Sequence, residues 1–342
     1  MSTRNRKTFL ITIIVIAALA TFLVYQNRSV QPQKANLQTN QADVVIAYQT
    51  GIDPSKVAQV NGDYEKDSQH NINWKKFDSG SDVVNALASG DVVIGNIGSS
   101  PFAAAASRNL PIEAFLITAK LGGSEALVVR NAAKINQASD LIGKTIAVPF
   151  VSTTHYSLLS ALKHWNITEN QLKIVNLRPP EITAAWERGD IDAAYVWEPA
   201  LSKAKATGHV LVDSKQVGEW GAPTYDLWVV RKDFAEKNPE FLKSFVQTTL
   251  KQIDAYNADP KAFVENQNNI EKIAQLTGSD QKDIPLLLAG NDYLNAQQQT
   301  LVLSGEFAKN IFDTATFLKT QGKVDQVKAD YKENVNAHFI QP

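Results

Sequence analysis

The sequence predicts an α/β protein with two lobes, in which two α/β units are joined by two crossing strands and followed by a helical C-terminal tail. Three observations carry this prediction. Short apolar runs typical of buried strands alternate with helix-forming segments between residues 44 and 206. Two further apolar strands, Ala126–Arg130 and Thr224–Val230, flank the second half of this alternation. After Asp233 the apolar spacing is helical only.

The first α/β unit begins with the apolar run Val44–Ala47. Gln49 follows this run, at the position where ligands of open α/β sheets bind. Ser81 is the predicted N-cap of a helix over residues 82–89 that stops at Gly90. The other predicted elements of this unit are strands over residues 73–77, 92–95, 112–118 and 126–130 and an alanine-rich helix over residues 101–108.

The second unit begins near Lys134 and repeats the alternation. Its predicted strands cover residues 144–148, 172–177, 191–196 and 210–211, and its predicted helices cover residues 137–142, 154–165, 180–188 and 199–206. In the tail, a long helix starts at Asn238-Pro239-Glu240 and reaches Asn257. Further tail helices are predicted over residues 262–267, 270–276, 281–288, 297–303 and 307–320.

These elements together predict the bilobed solute-binding fold of type II, which closes around a ligand by hinge motion. We expect lobe 1 to comprise residues 43–128 and 226–342, with the tail helices on its outside, and lobe 2 to comprise residues 129–225.

The N-terminus predicts export from the cytoplasm. Basic residues at positions 4, 6 and 7 precede an uncharged apolar run over residues 8–25, which is either a cleavable secretory signal or an inner-membrane anchor. We therefore assign residues 1–25 to a signal peptide or anchor and residues 26–42, rich in Gln and Asn, to a flexible tether. The rest of the chain would lie in the periplasm, released or tethered to the inner membrane.

Charge and cysteine content exclude several classes of function. Residues 1–28 hold four of the 34 basic residues and none of the 35 acidic ones, so the rest of the chain has 30 basic and 35 acidic residues. A mildly acidic body argues against a nucleic-acid partner. The chain has no cysteine, which excludes disulfides, thiolate metal sites and a lipoprotein cysteine.

Two strand-to-helix junctions carry hydroxyl side chains in place of cations. Ser152 or Thr153 caps one predicted helix, with Thr154 beside them, and Ser100 caps the other, preceded by Ser99 and followed by Pro101 at the first helical position. Exposed N–H groups and hydroxyls at a helix N-terminus bind oxyanions, although each junction alone is also explained as a simple N-cap. Two such junctions in successive units predict a small tetrahedral anion held between the lobes.

Acidic and aromatic side chains near the predicted hinge complete a candidate site. Glu125 and Asp226 each precede or begin a crossing strand, and either one could pair with a cationic amine or bond to the hinge backbone. Asp226 is the preferred amine acceptor because a lone charge in an apolar strand needs a partner. Trp197 follows a strand of the second unit and is either a core aromatic or a wall of the cleft.

The chain offers little support for catalysis or for a cofactor. Ser152 and His155 are close in sequence, but no G-x-S-x-G motif surrounds a serine and no acid lies near His155. The five histidines do not have metal-ligand spacing, and the glycines at 95 and 98 lack the third glycine and the lysine of nucleotide-binding loops. We therefore expect a binding protein with neither metal nor cofactor.

Several segments resemble one family, the taurine-binding periplasmic proteins of bacterial ABC importers. The resemblance is carried by the runs ASGDVVIGNIGSS (88–100), IAVPFVSTTHYSLL (146–159) and GEWGAPTYDLWVVRKDF (218–234), and by shorter stretches from about residue 44 to the C-terminus. It implies a monomeric receptor that delivers taurine or a related small sulfonate to an inner-membrane permease and its ATPase.

The resemblance also implies the role of each site residue. The sulfonate would meet Ser99, Ser100, Ser152, Thr153 and Thr154; Gln49, His155 and Trp197 would line the cleft; and Asp226, with Glu125, would take the amine. One alternative is a receptor for aliphatic sulfonates in general. The alternative of another class, a pyrimidine-synthesising enzyme of the thiamine pathway, relies on a cysteine-rich motif that this chain lacks.

Overall fold

A computed structural model describes residues 43–340 of the chain. The predicted signal or anchor (1–25) and tether (26–42) therefore lie outside the described residues. Within residues 43–340, no helix is both long enough and apolar enough to cross a membrane.

The first sheet has five strands in the order β2-β1-β3-β10-β4. Its members are β1 (Val44–Tyr48), β2 (Ile72–Lys76), β3 (Ile94–Gly98), β4 (Ile112–Lys120) and β10 (Tyr225–Arg231). Strand β1 runs parallel to β2 and β3, whereas β10 runs antiparallel to β3 and β4. The carboxyl ends of β1 and β3 therefore meet at one edge of the sheet, where ligands of α/β folds bind.

The second sheet repeats this plan, with the order β7-β6-β8-β5-β9. Its members are β5 (Ala126–Arg130), β6 (Thr145–Val148), β7 (Lys173–Asn176), β8 (Ala193–Val196) and β9 (Gly208–Asp213). Strand β6 is parallel to β7 and β8, and β5 is antiparallel to β8 and β9. The predicted architecture of two mixed α/β lobes is thus confirmed.

Helices cover the sheets and form the tail. The helices of the first lobe are α1 (Lys56–Asn61), α2 (Asp63–Ser68), α3 (Gly80–Ser89) and α4 (Ser99–Ser107). Those of the second are α5 (Thr153–His164), α6 (Pro179–Arg188), α7 (Ala200–Lys205) and α8 (Ser214–Glu219). The tail contains α9 (Lys232–Lys237), α10 (Pro239–Ala258), α11 (Pro260–Glu265), α12 (Gln267–Thr277), α13 (Ile284–Ala289), α14 (Ala296–Ser304) and α15 (Phe307–Thr320).

The chain crosses between the sheets in two short segments, residues 121–125 and 220–224. Strand β5 lies entirely in the second sheet and β10 entirely in the first. The expected lobe boundaries after residues 128 and 225 therefore need correction, because the first falls inside β5 and the second inside β10. Glu125 and Asp226 lie at the ends of the crossing segments, where the two lobes meet.

Two predicted helix caps and one predicted helix differ from the structure. Helix α3 is capped by Ser79 and not by Ser81, because the Ser79 Oγ accepts the N–H of Asp82 at 3.2 Å. Helix α4 begins at Ser99 with Gly98 as N-cap, so neither Ser100 nor Pro101 has its predicted position. Residues 138–141 form a 3₁₀ turn where an α-helix over residues 137–142 was predicted.

The larger apolar core surrounds the first sheet and continues into the tail helices. Trp228 on β10 packs against Phe245 of α10 with ring centroids 5.0 Å apart, and Trp74 lies 6.2 Å from Trp228. The larger core also extends into the second lobe through residues of α6 and α7, and a smaller cluster packs beneath α5. These cores hold the carboxyl ends of the two sets of parallel strands in fixed positions facing each other.

Candidate functional site

Helix α5 begins at the edge of the second sheet, directly after β6. The Ser152 hydroxyl is its N-cap: it accepts the N–H of His155 at 3.1 Å and donates to the carbonyl of Pro149 at 2.6 Å. It also lies 2.7 Å from the Thr154 hydroxyl. The Ser152 hydroxyl thus already donates its hydrogen bond within the turn. The N–H groups of the first helical turn, in contrast, have no partner inside the helix. The anion-binding capacity of this junction therefore resides mainly in its backbone.

Helix α4 begins at the matching edge of the first sheet. Ser99 Oγ accepts the N–H of Tyr225 at 3.2 Å, which ties the helix start to β10. Ser100 Oγ is fully buried and has no hydrogen-bond partner among the described residues. Gly98 lies directly against α5, since a Cβ at Gly98 would be 2.5 Å from Cγ2 of Thr153. The two helix starts therefore meet across the lobe boundary, as the sequence predicted.

Glu125 is buried in the first crossing segment and is held by two hydroxyls of the second lobe. Thr153 donates to its Oε1 at 2.5 Å and Ser214 donates to its Oε2 at 3.2 Å. Burial, and next the nearby charge of Asp226, raise the pKa of Glu125 to about 8. Thr153 was predicted to donate its hydroxyl to the ligand, but in the structure this proton is directed to Glu125.

Asp226 lies at the start of β10, paired with Gly98 of β3 and Ala119 of β4. A Cβ at Gly51 would be 3.1 Å from its Oδ2, so the carboxyl packs against the loop after β1. Burial and the charge of Asp53 raise the pKa of Asp226 to about 7. A half-buried carboxyl that faces a cleft and has a raised pKa is a candidate ligand contact.

The residues at these strand ends line a partly open cavity at the boundary between the lobes. Its lining consists of Gln49, Gly51, Ile52, Gly80, Gly98, Pro101, Leu121, Ser124, Glu125, Ser152, Thr153, Trp197, Glu198 and Asp226. Three of these side chains are carboxyls, and none of the lining residues is lysine or arginine. The site therefore offers backbone and hydroxyl donors to an anion and carboxylates to a cation.

Six of the ten predicted site residues line the cavity, namely Gln49, Glu125, Ser152, Thr153, Trp197 and Asp226. The Gln49 amide is held by the carbonyl of Asn96 at 2.9 Å. Ser99, Ser100 and Thr154 are fully buried and are not among the residues that line the cavity. Their contact with a ligand stays a prediction.

His155 does not line the cavity. Its Nδ1 accepts the N–H of Val151 at 3.1 Å, and its ring stacks on Phe150 with centroids 4.6 Å apart. Val151 has φ +64°, an unusual conformation for a β-branched residue, so this hydrogen bond supports the turn before α5. Burial and the charge of Lys323 lower the pKa of His155 to about 4, which keeps the ring neutral.

The predicted site does not include several residues that line the cavity, among them Glu198 and Ser124. Glu198 lines the cavity and is buried, with Oε1 accepting the hydroxyl of Ser202 at 2.9 Å. Its backbone carbonyl accepts the hydroxyl of Thr50 at 2.8 Å, which joins the two lobes. Ser124 is anchored by Asn291 at 2.7 Å. An acidic residue shortly after the end of a strand is a sequence signal that could have identified Glu198 as a site residue. No local pattern of this kind marks Ser124.

Comparisons with known proteins agree with this geometry. A family model described as the substrate-binding domain of an ABC-type glycine betaine transport system matches residues 42–276. The taurine-binding periplasmic protein of Escherichia coli (strain K12) is 53% identical over 327 residues, which cover 96% of this chain and 98% of that protein.

Two solved structures share the fold at low sequence identity. The periplasmic aliphatic sulphonate binding protein SsuA from Escherichia coli has a TM-score of 0.70 at 21% identity, covering 86% of this chain and 92% of that one. The alkanesulfonate-binding protein SsuA from Xanthomonas axonopodis pv. citri, bound to MOPS, has a TM-score of 0.69 at 20% identity, covering 83% and 95%.

Proposed function

This chain belongs to the family of substrate-binding domains that serve ABC-type importers, and from that premise we propose that it captures taurine, 2-aminoethanesulfonate, in the periplasm. It then delivers taurine to a membrane permease driven by an ATPase. The 53% identity with the Escherichia coli taurine-binding periplasmic protein supports this ligand. The cavity supports it independently through its chemistry.

The cavity can hold the two ends of taurine in opposite surroundings. The sulfonate would lie against the N–H groups at the starts of α4 and α5, where the helix dipoles favour an anion. The ammonium group would lie between the carboxyls of Asp226 and Glu125. Apolar side chains in the lining, Ile52, Leu121 and Trp197, would contact the two methylene groups.

The observation that carries this proposal is the charge of the lining: three carboxyls with no lysine or arginine, next to two helix N-termini. A ligand that is only anionic would place its charge near these carboxyls without compensation. Glycine betaine, named in the family description, has a quaternary ammonium that cannot donate hydrogen bonds and for which several aromatic rings are the usual partners. The lining has one aromatic side chain, Trp197. A primary ammonium with a compact oxyanion fits best.

Titration calorimetry with four ligands tests the proposal. We expect taurine to bind most tightly, ahead of ethanesulfonate, which lacks the amine, β-alanine, which replaces the sulfonate by a carboxylate, and glycine betaine. Equal affinity for ethanesulfonate and taurine would favour the general aliphatic sulfonate receptor. Tighter binding of glycine betaine would refute the proposal.

Delivery and location make separate predictions. Cells that lack their own taurine receptor should regain uptake of labelled taurine when they express this chain with its cognate permease and ATPase. We propose that the receptor works as a monomer, which light scattering of the ligand-bound protein would check. Mass spectrometry of the N-terminus would decide between a released receptor and one tethered to the inner membrane.

A further inference from the structure

A fully buried lysine begins the helix that follows a loop of the cavity lining. Lys56 begins helix α1, directly after the loop that contributes Gly51 and Ile52 to the cavity lining. Its side chain is 1% exposed, and its Nζ lies 3.5 Å from Oδ2 of Asp53. Nζ has no hydrogen-bond partner among the described residues, so the pair is ionic without close hydrogen bonding. Such a charge in the interior is costly unless neighbouring charges compensate it.

Packing alone gives little reason for a lysine at this position. Helix α1 is covered by the first lobe, and the Lys56 Nζ lies 5.7 Å from the ring centre of Tyr48, a cation–π contact that offsets only part of the cost of burying the charge. Asp53 has a local role of its own, because its Oδ1 accepts the N–H of Ser55 at 2.8 Å in the turn that starts α1. The lysine therefore requires an explanation beyond the start of the helix.

The same loop connects the pair to Asp226. The carboxyl of Asp226 packs against Gly51, two positions before Asp53. Asp53 raises the pKa of Asp226 and Lys56 lowers it, so both charges act on this carboxyl. The other ionisable groups that interact with Asp226 are Glu125, in the first crossing segment, and Tyr293, in the tail.

We propose that Lys56 is a positioning residue that serves as shared counter-ion to Asp53 and Asp226, so that a larger share of Asp226 is ionised in the empty cleft and Asp226 selects ligands that carry an ammonium group. The inference rests on the proposed function, since it assigns a role to Asp226 in holding an amine. It identifies a residue outside the cavity lining that sets ligand choice through charge.

The balance of charges gives each variant a distinct expected outcome. Two carboxylates and one lysine leave one negative charge, which the ligand ammonium neutralises. Lys56→Met leaves two adjacent acids without a counter-ion, so Asp226 takes up a proton. Asp53→Asn leaves Lys56 to neutralise Asp226, so that the lysine competes with the ligand. The double variant Asp53→Asn/Lys56→Met leaves Asp226 alone and ionisable.

Calorimetry with taurine and ethanesulfonate at pH 6, 7 and 8 tests this. If the ionised fraction of Asp226 in Lys56→Met falls to roughly one tenth of its value in the parent, taurine affinity at pH 7 should fall about 10-fold and recover as the pH rises. Asp53→Asn should also weaken taurine binding. The double variant should return to within about threefold of the parent. Ethanesulfonate affinity should stay within about twofold throughout, which also shows that each variant is folded.

The outcomes separate the inference from the function on which it rests. Failure of the parent protein to bind taurine would refute the proposed function. If the parent binds taurine but Lys56→Met and the double variant lose equal affinity, Lys56 acts through packing and the inference is refuted. Unchanged taurine affinity in Lys56→Met would refute it as well. Should Lys56→Met fail to fold, Lys56→Gln carries the same test, with the double variant as its reference.

Discussion

Asp226 is a half-buried carboxyl, and a cation that covers it would favour its charged form. The residue is paired on both sides within the first sheet, which fixes its backbone. Its side chain faces the cavity beside Gly51. The ligand ammonium is the cation that our proposal supplies.

Replacing Asp226 by asparagine keeps the shape of the side chain and removes its charge. We expect taurine binding to weaken by about 2–4 kcal/mol, as for one partner of a buried charge pair, and ethanesulfonate binding to stay the same or improve. Calorimetry with both ligands measures the difference. Asp280→Asn, at an exposed aspartate of the tail, is the matched control. Equal losses for the two ligands would show that Asp226 supports the fold of the cavity and not the amine.

The raised pKa values of Glu125 and Asp226, about 8 and about 7, predict a pH dependence of binding. Both acids are partly protonated in the empty site near neutral pH, and the ammonium favours their charged forms. Taurine affinity should therefore rise between pH 6 and 8, at most about tenfold per pH unit for each proton released, while the aliphatic ammonium stays charged.

Calorimetry in two buffers of different ionisation enthalpy should reveal this proton release directly. Ethanesulfonate provides the control, because an anion gains nothing from ionised carboxyls and its affinity should stay flat or fall over the same range. A taurine affinity that does not change from pH 6 to 8 would contradict ionisation of either acid on binding.

At the scale of elements, the site depends on two helix starts that touch each other. Gly98 caps α4 and Thr153 begins α5, and the space between them has no room for a methyl group. Gly98→Ala should therefore hold the lobes apart. An overpacking cost of about 1–3 kcal/mol corresponds to a loss of roughly 5- to 150-fold in taurine affinity.

A second substitution tests whether this contact is the cause. Thr153→Ser removes the Cγ2 that a Cβ at Gly98 would meet at 2.5 Å and keeps the hydroxyl that donates to Glu125. The double variant Gly98→Ala/Thr153→Ser should regain most of the affinity. The ligand-free melting temperature of Gly98→Ala should stay close to that of the parent if the clash acts only on closure. A melting temperature that falls as far as the affinity would point to damage within one lobe.

The elements also show what sequence can and cannot predict. Ser152 was identified as an alternative cap of α5 because a hydroxyl followed by helical periodicity is a local signal. The start of α4 was placed too late, because pairing of β3 with β10 extends the strand to Gly98, and that partner is distant in sequence. The stacking of His155 on Phe150 could not be predicted from the sequence either, and the contact of His155 with a ligand stays a prediction. Helix α1, which carries Lys56, was missed entirely.

At the scale of the whole molecule, the site belongs to neither lobe alone. Gln49 and Asp226 come from the first sheet, Ser152 and Trp197 from the second, and Glu125 from the segment that crosses between them. The tail reinforces this contact between the lobes. Helix α15 packs on α4 and reaches the second lobe, where Phe317 contacts Tyr156 with ring centroids 5.1 Å apart. Arg178 of the second lobe also lies 3.5 Å from Asp82 of the first.

A ligand that contacts both lobes should stabilise them together. Taurine at 100 times its dissociation constant should add about 2.7 kcal/mol to the free energy of unfolding. For a body of this size, that corresponds to a rise of roughly 4 °C in melting temperature. Scanning calorimetry should show the whole heat-absorption peak moving, or both components moving if the lobes unfold separately. Ethanesulfonate at the same multiple of its own dissociation constant should give an equal shift, because the gain depends only on that ratio. If taurine moved only one of two resolved transitions, its contacts would lie within a single lobe, and binding between the lobes would be wrong.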